Sequence, residues 1–214
     1  MPAREIILVP HPTLRKKAAK VSDFGPELQE LVDDMIITLR EASGAGLAAP
    51  QVNVSQQVIL VEYGSDEDED IPPVLYVTVN PKISRFSQEI VTGAEGCLSI
   101  PRFMGEVDRA QDILVEGQDR YGKPLKMKFQ GWLARIFQHE IDHINGILYT
   151  DRTTRVWETN ILRFLPAKDI DRLVKFLESY VPQERQPVGE PDHLCPKCGV
   201  FDCLQHGYAI GEEW

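Results

Sequence analysis

The sequence predicts an α+β fold in which small antiparallel sheets are wrapped around a central helix. Three observations predict it. Apolar residues recur at helical spacing over residues 26–42 and again over residues 131–145. Short strand-like runs lie between these two segments. A turn joins two of those runs, which indicates an antiparallel hairpin.

The first predicted helix, residues 26–42, carries its apolar side chains at helical spacing. They are Leu28, Leu31, Val32, Met35, Ile36 and Leu39. Pro26 suits the first turn of a helix, and the pair Ser43-Gly44 suits its end. We expect residues 44–46 to form a flexible segment.

Strands are predicted over residues 58–63, 74–79 and 113–116. The acidic residues 66–70 between the first two are typical of a solvated loop. Residues 125–129 alternate apolar and polar side chains after a turn at residues 121–124. This pattern predicts a hairpin with the strand that begins at Ile113.

The chain divides after the third predicted helix, residues 167–180. Pro182, Pro187, Gly189 and Pro191 indicate a linker. We therefore predict a catalytic domain over residues 1–181 and a Cys/His-rich tail after the linker, together residues 182–214.

Composition limits the partners of the chain. Its formal net charge of -10 argues against nucleic acid as the main partner, because such binders usually carry a basic face. No apolar run is long enough to cross a bilayer, so no membrane partner is expected. The amino terminus does not resemble a signal peptide. We expect a cytoplasmic protein, and an organelle form stays open.

Residues 139–143, His-Glu-Ile-Asp-His, form the motif with the clearest chemistry. His139 and His143 are four residues apart on a predicted helix, so both imidazoles project from one face. Two such groups can hold one cation. Glu140 can accept a proton from water beside that cation. The motif predicts a metal-dependent hydrolase.

A hydrolytic metal needs about three protein ligands and an open position. One class of HExxH protein places a histidine six residues after the second one, but here that residue is Tyr149. Another class uses a downstream glutamate, for which Glu158 and Glu178 are available. Cys97 is the better candidate, since a thiolate binds borderline divalent metals strongly.

Three segments of the sequence together resemble the motifs of peptide deformylases. They are residues 44–51 (GAGLAAPQ), 95–99 (EGCLS) and 138–143 (QHEIDH), in the order and with the separations of that family. Residues 11–15 and 131–136 are similar as well. The resemblance covers roughly residues 5–155, and three motifs together are far more specific than HExxH alone.

The resemblance implies an enzyme that removes the formyl group from N-terminal formyl-methionine of nascent polypeptides and releases formate. It implies a divalent metal, usually Fe2+, with Ni2+, Co2+ or Zn2+ able to occupy the site. The metal ligands implied are Cys97, His139 and His143.

The resemblance also assigns roles around the metal. It implies that Glu140 is the general base. The Gln51 amide and the Leu98 backbone N–H would stabilise the oxyanion, and the Gly46 carbonyl would hold the substrate amide. Trp132 and Ile136 are expected in the pocket wall or in helix packing. A structural pair between Glu95 and Arg109 is also expected.

Two alternatives stay open at this stage. One is an HExxH metalloprotease with a downstream glutamate ligand. The other is a non-catalytic peptide binder that has kept the pocket. Formate release separates both from a deformylase.

The tail carries a second candidate metal site. Its ligands would be Cys195, Cys198, Cys203 and His206, with the spacing C-x2-C-x4-C-x2-H. Four such ligands could hold a structural Zn2+. The alternative is a tail whose cysteines bind no metal. The tail could contact the ribosome or a partner, although its acidic charge disfavours direct RNA binding.

Overall fold

The structure is a computed structural model that describes residues 3–64, 72–153 and 155–159. The helix predicted over residues 167–180, the linker and the tail lie outside these residues. The two helices that it describes are α1, Pro26–Glu41, and α2, Gly131–Ile144. The strands are β1 Gly46–Ala48, β2 Val58–Tyr63, β3 Val74–Phe86, β4 Ile90–Cys97, β5 Ile100–Ala110, β6 Asp112–Gln118, β7 Pro124–Gln130 and β8 Val156–Glu158.

The larger sheet has five antiparallel strands in the order β1-β2-β3-β6-β7. The predicted hairpin is confirmed, because β6 pairs with β7 from Asp112 opposite Gln130 to Gln118 opposite Pro124. The prediction of a flexible segment over residues 44–46 is wrong at its last residue. Gly46 begins β1 and lies opposite Val61 of β2.

Strand β2 explains how this sheet separates the two helices. Its first four residues are all buried, so both faces of the strand are covered there. Val58 and Leu60 pack in the cluster that contains α1, whereas Ile59 and Val61 pack in the cluster that contains α2. Alternate side chains point to opposite faces of a strand, so the sheet lies between α1 and α2.

The smaller sheet has the order β4-β5-β8 and is also antiparallel. Polar contacts join α2 to it. The Gln138 side-chain amide accepts a hydrogen bond from Ala110 N and donates one to Ala110 O, at the end of β5. Helix α2 therefore contacts both sheets, as the α+β prediction with a central helix requires.

The end of α2 is fixed by close packing. Gly146 follows the helix with φ of +77°, a conformation that favours glycine. A Cβ atom there would also lie 2.8 Å from the backbone carbon of Arg15. Residues 134–144 of α2 are all buried. None of the helices in the described ranges is long and apolar enough to cross a membrane.

Candidate active site

The two histidines of the HEIDH motif lie on one face of α2. Their ring centroids are 5.0 Å apart. His139 is 8% exposed and His143 is 1% exposed, so both imidazoles are removed from bulk water. The helix therefore supplies two adjacent nitrogen ligands, as the four-residue spacing predicts.

Cys97 is the last residue of β4, next to a tight turn that leads into β5. Its Sγ lies 3.2 Å from Nε2 of His143. One ligand atom from each of Cys97, His139 and His143 lies within 4.8 Å of the other two. The three residues therefore fit a single divalent ion, and a thiolate with two imidazoles suits a borderline metal.

The surroundings of Cys97 favour its thiolate. Burial alone would raise the pKa of this thiol, but the adjacent His143 and His139 outweigh burial and bring the pKa to about 5. Because the thiolate is the form that binds metals, Cys97 is ready to act as a ligand at neutral pH.

Glu140 lies beside these ligands, and its carboxylate forms no ion pair with any described residue. Glu140 is 3% exposed, and among the described residues its Oε2 has no hydrogen-bond partner. Burial raises the pKa of Glu140 to about 7. A carboxyl group with such a pKa can both take and return a proton near neutral pH.

Gln51 is held so that its amide NH2 faces the cysteine. Its Oε1 accepts a hydrogen bond from Ala48 N at 2.8 Å, which fixes the orientation of the side chain. Its Nε2 lies 3.6 Å from Cys97 Sγ and 3.3 Å from Ser99 Oγ. The side chain thus presents donors to the space beside the metal ligands.

Glu95 sets the orientation of His139. Its Oε2 lies 2.9 Å from Nδ1 of His139. Burial would raise the pKa of Glu95, but Arg109 and His139 outweigh burial and hold it far below its usual value. Arg109 donates to both carboxylate oxygens at 2.8 and 2.9 Å, as predicted for this pair. The other nitrogen of His139 is thereby left for a metal.

Several polar contacts of this site had no signal in the sequence. Asp142 accepts hydrogen bonds from Arg109 and, through both of its oxygens, from Arg152. Arg135 is a second guanidinium at Glu95, beside that of Arg109. Their partners are far apart in the chain, so spacing alone could not identify them.

A cavity of about 300 Å3 opens beside these groups. Gly46, Gln51, Cys97, Leu98, His139 and Glu140 line it. Trp132 and Ile136 line it as well, which fits the pocket-wall role of the two roles expected for them, and Ile136 also packs in the core. Leu98 lies in the turn between β4 and β5. The structure therefore brings these predicted site residues around one space, and His143 lies behind them in contact with Cys97.

The other third ligands considered are placed elsewhere. Glu158 forms an ion pair with Arg102. Tyr149 is buried with its ring stacked 6.3 Å from that of His139. Glu178 and the tail residues Cys195, Cys198, Cys203 and His206 lie outside the described residues.

Comparison with known sequences gives one consistent family. Residues 3–158 match the family described as polypeptide deformylase. A peptide deformylase of Symbiobacterium thermophilum is 45% identical over 152 residues, which cover 71% of this chain and 67% of the relative. A peptide deformylase of Halothermothrix orenii is 40% identical over 161 residues, which cover 75% of this chain and all of the relative.

Solved structures agree with the sequence comparison. The Met-Ala-Ser-bound class I type b peptide deformylase of Acinetobacter baumannii is 39% identical, with a TM-score of 0.65. The match covers 70% of this chain and 98% of that one. The peptide deformylase of Thermus thermophilus is 36% identical, with a TM-score of 0.64, over 83% of this chain and 94% of that one.

Proposed function

Because this chain belongs to the peptide deformylase family, which removes the formyl group from N-formyl-methionine peptides, we propose how its residues perform that reaction. The observation that carries the proposal is the convergence of Cys97, His139 and His143 beside a buried Glu140. The enzyme is a hydrolase, and its products are formate and a peptide with a free amino terminus.

We assign Cys97, His139 and His143 as the ligands of one catalytic divalent metal, with Fe2+ as the native ion. Ni2+, Co2+ or Zn2+ could occupy the same ligand set, because Cys/His sites accept several metals. The bound metal would polarise the formyl carbonyl and lower the pKa of a water molecule to about 7. The ordered Nδ1 contact of His139 with Glu95 supports the assignment.

Glu140 moves the protons of the reaction. In our assignment it takes a proton from the attacking water as the C–O bond forms. It returns that proton to the amide nitrogen as the C–N bond breaks, so that a neutral amine and formic acid leave, and formic acid releases its remaining proton to the solvent to become formate. Its buried carboxylate and its pKa of about 7 support both halves of this role.

The formyl oxygen becomes an oxyanion during this reaction, and we assign its donors as the Gln51 amide NH2 and the Leu98 backbone N–H. Donors that are already oriented stabilise such charge without reorganisation, and one donor contributes about 3 kcal/mol. The fixed Gln51 carbonyl supports this role. The Gly46 carbonyl would accept a hydrogen bond from the substrate amide.

The substrates of this proposal are N-formylated nascent peptides. The methionine side chain would occupy the apolar part of the cavity, near Trp132 and Ile136. We propose action close to the ribosome, where such peptides arise, and in the cytoplasm. Direct binding of nucleic acid is not part of the proposal, and the net charge of -10 is consistent with that.

Residues 1–181 are proposed as the catalytic domain, with a separate tail. The proposed tail ligands are Cys195, Cys198, Cys203 and His206, which would hold a structural Zn2+. Their C-x2-C-x4-C-x2-H spacing supports this second site.

Formate release tests the reaction directly. Protein loaded anaerobically with Fe2+, or with Ni2+ in air, is incubated with formyl-Met-Ala-Ser, and acetyl-Met-Ala-Ser serves as the control substrate. We expect formate and free Met-Ala-Ser from the first and no deacetylation of the second. Absence of formate at every metal loading would contradict the proposed function.

A further inference from the structure

Arg135 is a buried cation that the catalytic assignments above leave without a role. It lies on α2 one turn before His139 and is 5% exposed. Its guanidinium leaves the helix and reaches the smaller sheet. Nη1 donates to Glu95 Oε1 at 2.9 Å, to Val107 O at 2.8 Å and to Gly93 O at 3.3 Å. Nη2 donates to Val91 O at 2.6 Å.

Three of these four acceptors belong to β4, the strand that ends at Cys97. Within the described residues β4 is an edge strand, paired with β5 alone. The thiolate ligand therefore comes from a strand whose other edge has no neighbouring strand in the part of the chain that the structure describes. The two imidazole ligands come from α2. Arg135 joins these two elements directly.

We propose that Arg135 is a positioning residue that clamps β4 to α2 and so holds Cys97 at the distance from His139 and His143 that one metal ion requires. This inference rests on the ligand assignment of the proposed function. It adds a residue that lines the cavity, is not a metal ligand, and acts through the elements that carry the ligands.

The carboxylate of Glu95 supports the clamp. Its Oε1 accepts from Arg109 Nε and Arg135 Nη1, and its Oε2 accepts from Arg109 Nη2 and His139 Nδ1. Each oxygen thus has two donors. Loss of Arg135 would leave a buried carboxylate oxygen with a single donor, which is costly. The carboxylate would then be free to shift, and His139 would shift with it.

Gly93 provides a second, independent observation. A Cβ atom at this position would lie 2.9 Å from both Cζ and Nη2 of Arg135. Gly93 is not among the glycines with positive φ, so its backbone does not need glycine. The guanidinium of Arg135 instead occupies the space that a side chain at position 93 would fill.

The geometry also explains why arginine suits this position better than lysine. Three acceptors are backbone carbonyls of β4 and β5, and the fourth is the Glu95 carboxylate. The planar guanidinium reaches all four with two nitrogens. A lysine would place a single ammonium among them. The Trp132 ring lies 5.7 Å from the guanidinium carbon and adds a cation–π contact.

The test uses the full chain loaded with Co2+, whose d–d absorption reports the geometry of its ligands. Arg135→Met removes the guanidinium, and Gly93→Ala displaces it without changing α2. Arg120→Met is the matched control. Arg120 ties the β6–β7 turn to α1 through Gln29 and Asp33 and touches no metal ligand.

For Arg135→Met and Gly93→Ala we expect shifted d–d bands. We also expect Co2+ loss to a chelator about 10-fold faster than in wild type, which is the smallest effect typical of losing a group that orients a metal ligand. On Ni2+-loaded protein we expect kcat to fall more than KM rises. Arg120→Met is expected to lower Tm and to leave the spectrum and the rate of Co2+ loss unchanged.

Unchanged bands and Co2+ loss in both site variants would overturn the clamp. A change of equal size in Arg120→Met would also overturn it, since general destabilisation would then explain the effect. Wild-type protein that binds no stoichiometric Co2+ would instead refute the ligand assignment of the proposed function, and the clamp with it.

Discussion

Gly46 lies directly against the carboxylate of Glu140. A Cβ atom built on Gly46 would be 2.8 Å from both Cγ and Cδ of Glu140. Real Cβ atoms do not approach other heavy atoms so closely, so a side chain at position 46 would push the carboxylate aside. The first residue of β1 and the proposed base of α2 are therefore fitted to each other.

Gly46→Ala is accordingly expected to displace Glu140 and to lower kcat by about 100-fold. This is the smallest rate loss typical of losing a positioned general base. Metal content should stay unchanged because no ligand is touched. Gly25→Ala, whose Cβ would have the side chain of the exposed Asp23 as its nearest neighbour, is the control and should keep full kcat. Equal kcat in Gly46→Ala and wild type would show that Glu140 has room to move without consequence.

Gln51→Glu tests the proposed oxyanion donor. The substitution keeps the acceptor for Ala48 N and removes the amide donors. We expect kcat to fall by about 100- to 1,000-fold, with a smaller change in KM. Gln57→Glu serves as control, because Gln57 is a buried glutamine that donates to Ala18 O outside the site. Gln57→Glu should lower Tm and leave kcat close to that of wild type. A normal kcat in Gln51→Glu would show that Gln51 does not stabilise the oxyanion.

Cys97→Ala separates a deformylase ligand set from that of a metalloprotease with a glutamate ligand. We expect the variant to lose its catalytic metal, since one of three catalytic ligands is gone, and to keep the zinc ion proposed for the tail. Elemental analysis after gel filtration measures this. Cys198→Ala should retain full formate release. If Cys97→Ala kept an equimolar catalytic metal, a different third ligand would have to be sought downstream.

A chain that ends at Val181 tests the tail. If residues 182–214 hold a second metal, the truncated chain should contain about one zinc ion fewer per molecule. Its formate release should equal that of the full chain, because the proposed catalytic residues all precede residue 182. An unchanged metal-to-protein ratio would refute the second site.

Much of the fold and site could be predicted because the signals are local. The helical spacing of residues 131–145 placed His139 and His143 on one face of a helix, and α2 spans Gly131–Ile144. The alternation over residues 125–129 and the turn before it predicted the β6–β7 hairpin. In each case neighbouring residues carry the information.

Other features depend on long-range pairing and had no local signal. The run predicted over residues 74–79 continues to Phe86 as β3, and the register of β3 with β6 shifts between Val79 and Lys82. Asn80 has φ of +52°, and an Asn-Pro pair ordinarily indicates a turn. The contacts of Arg135 likewise exist only after β4 and β5 pair beside α2.

The most direct test of the central claim compares wild type with Glu140→Gln on formyl-Met-Ala-Ser, with metal content measured on the same samples. We predict about one catalytic metal ion per chain in both proteins, because Glu140 is not assigned as a ligand. We predict formate release at least about 100-fold slower in Glu140→Gln, because the amide cannot accept the proton of water. Undiminished formate release by a fully metal-loaded Glu140→Gln protein would contradict the account.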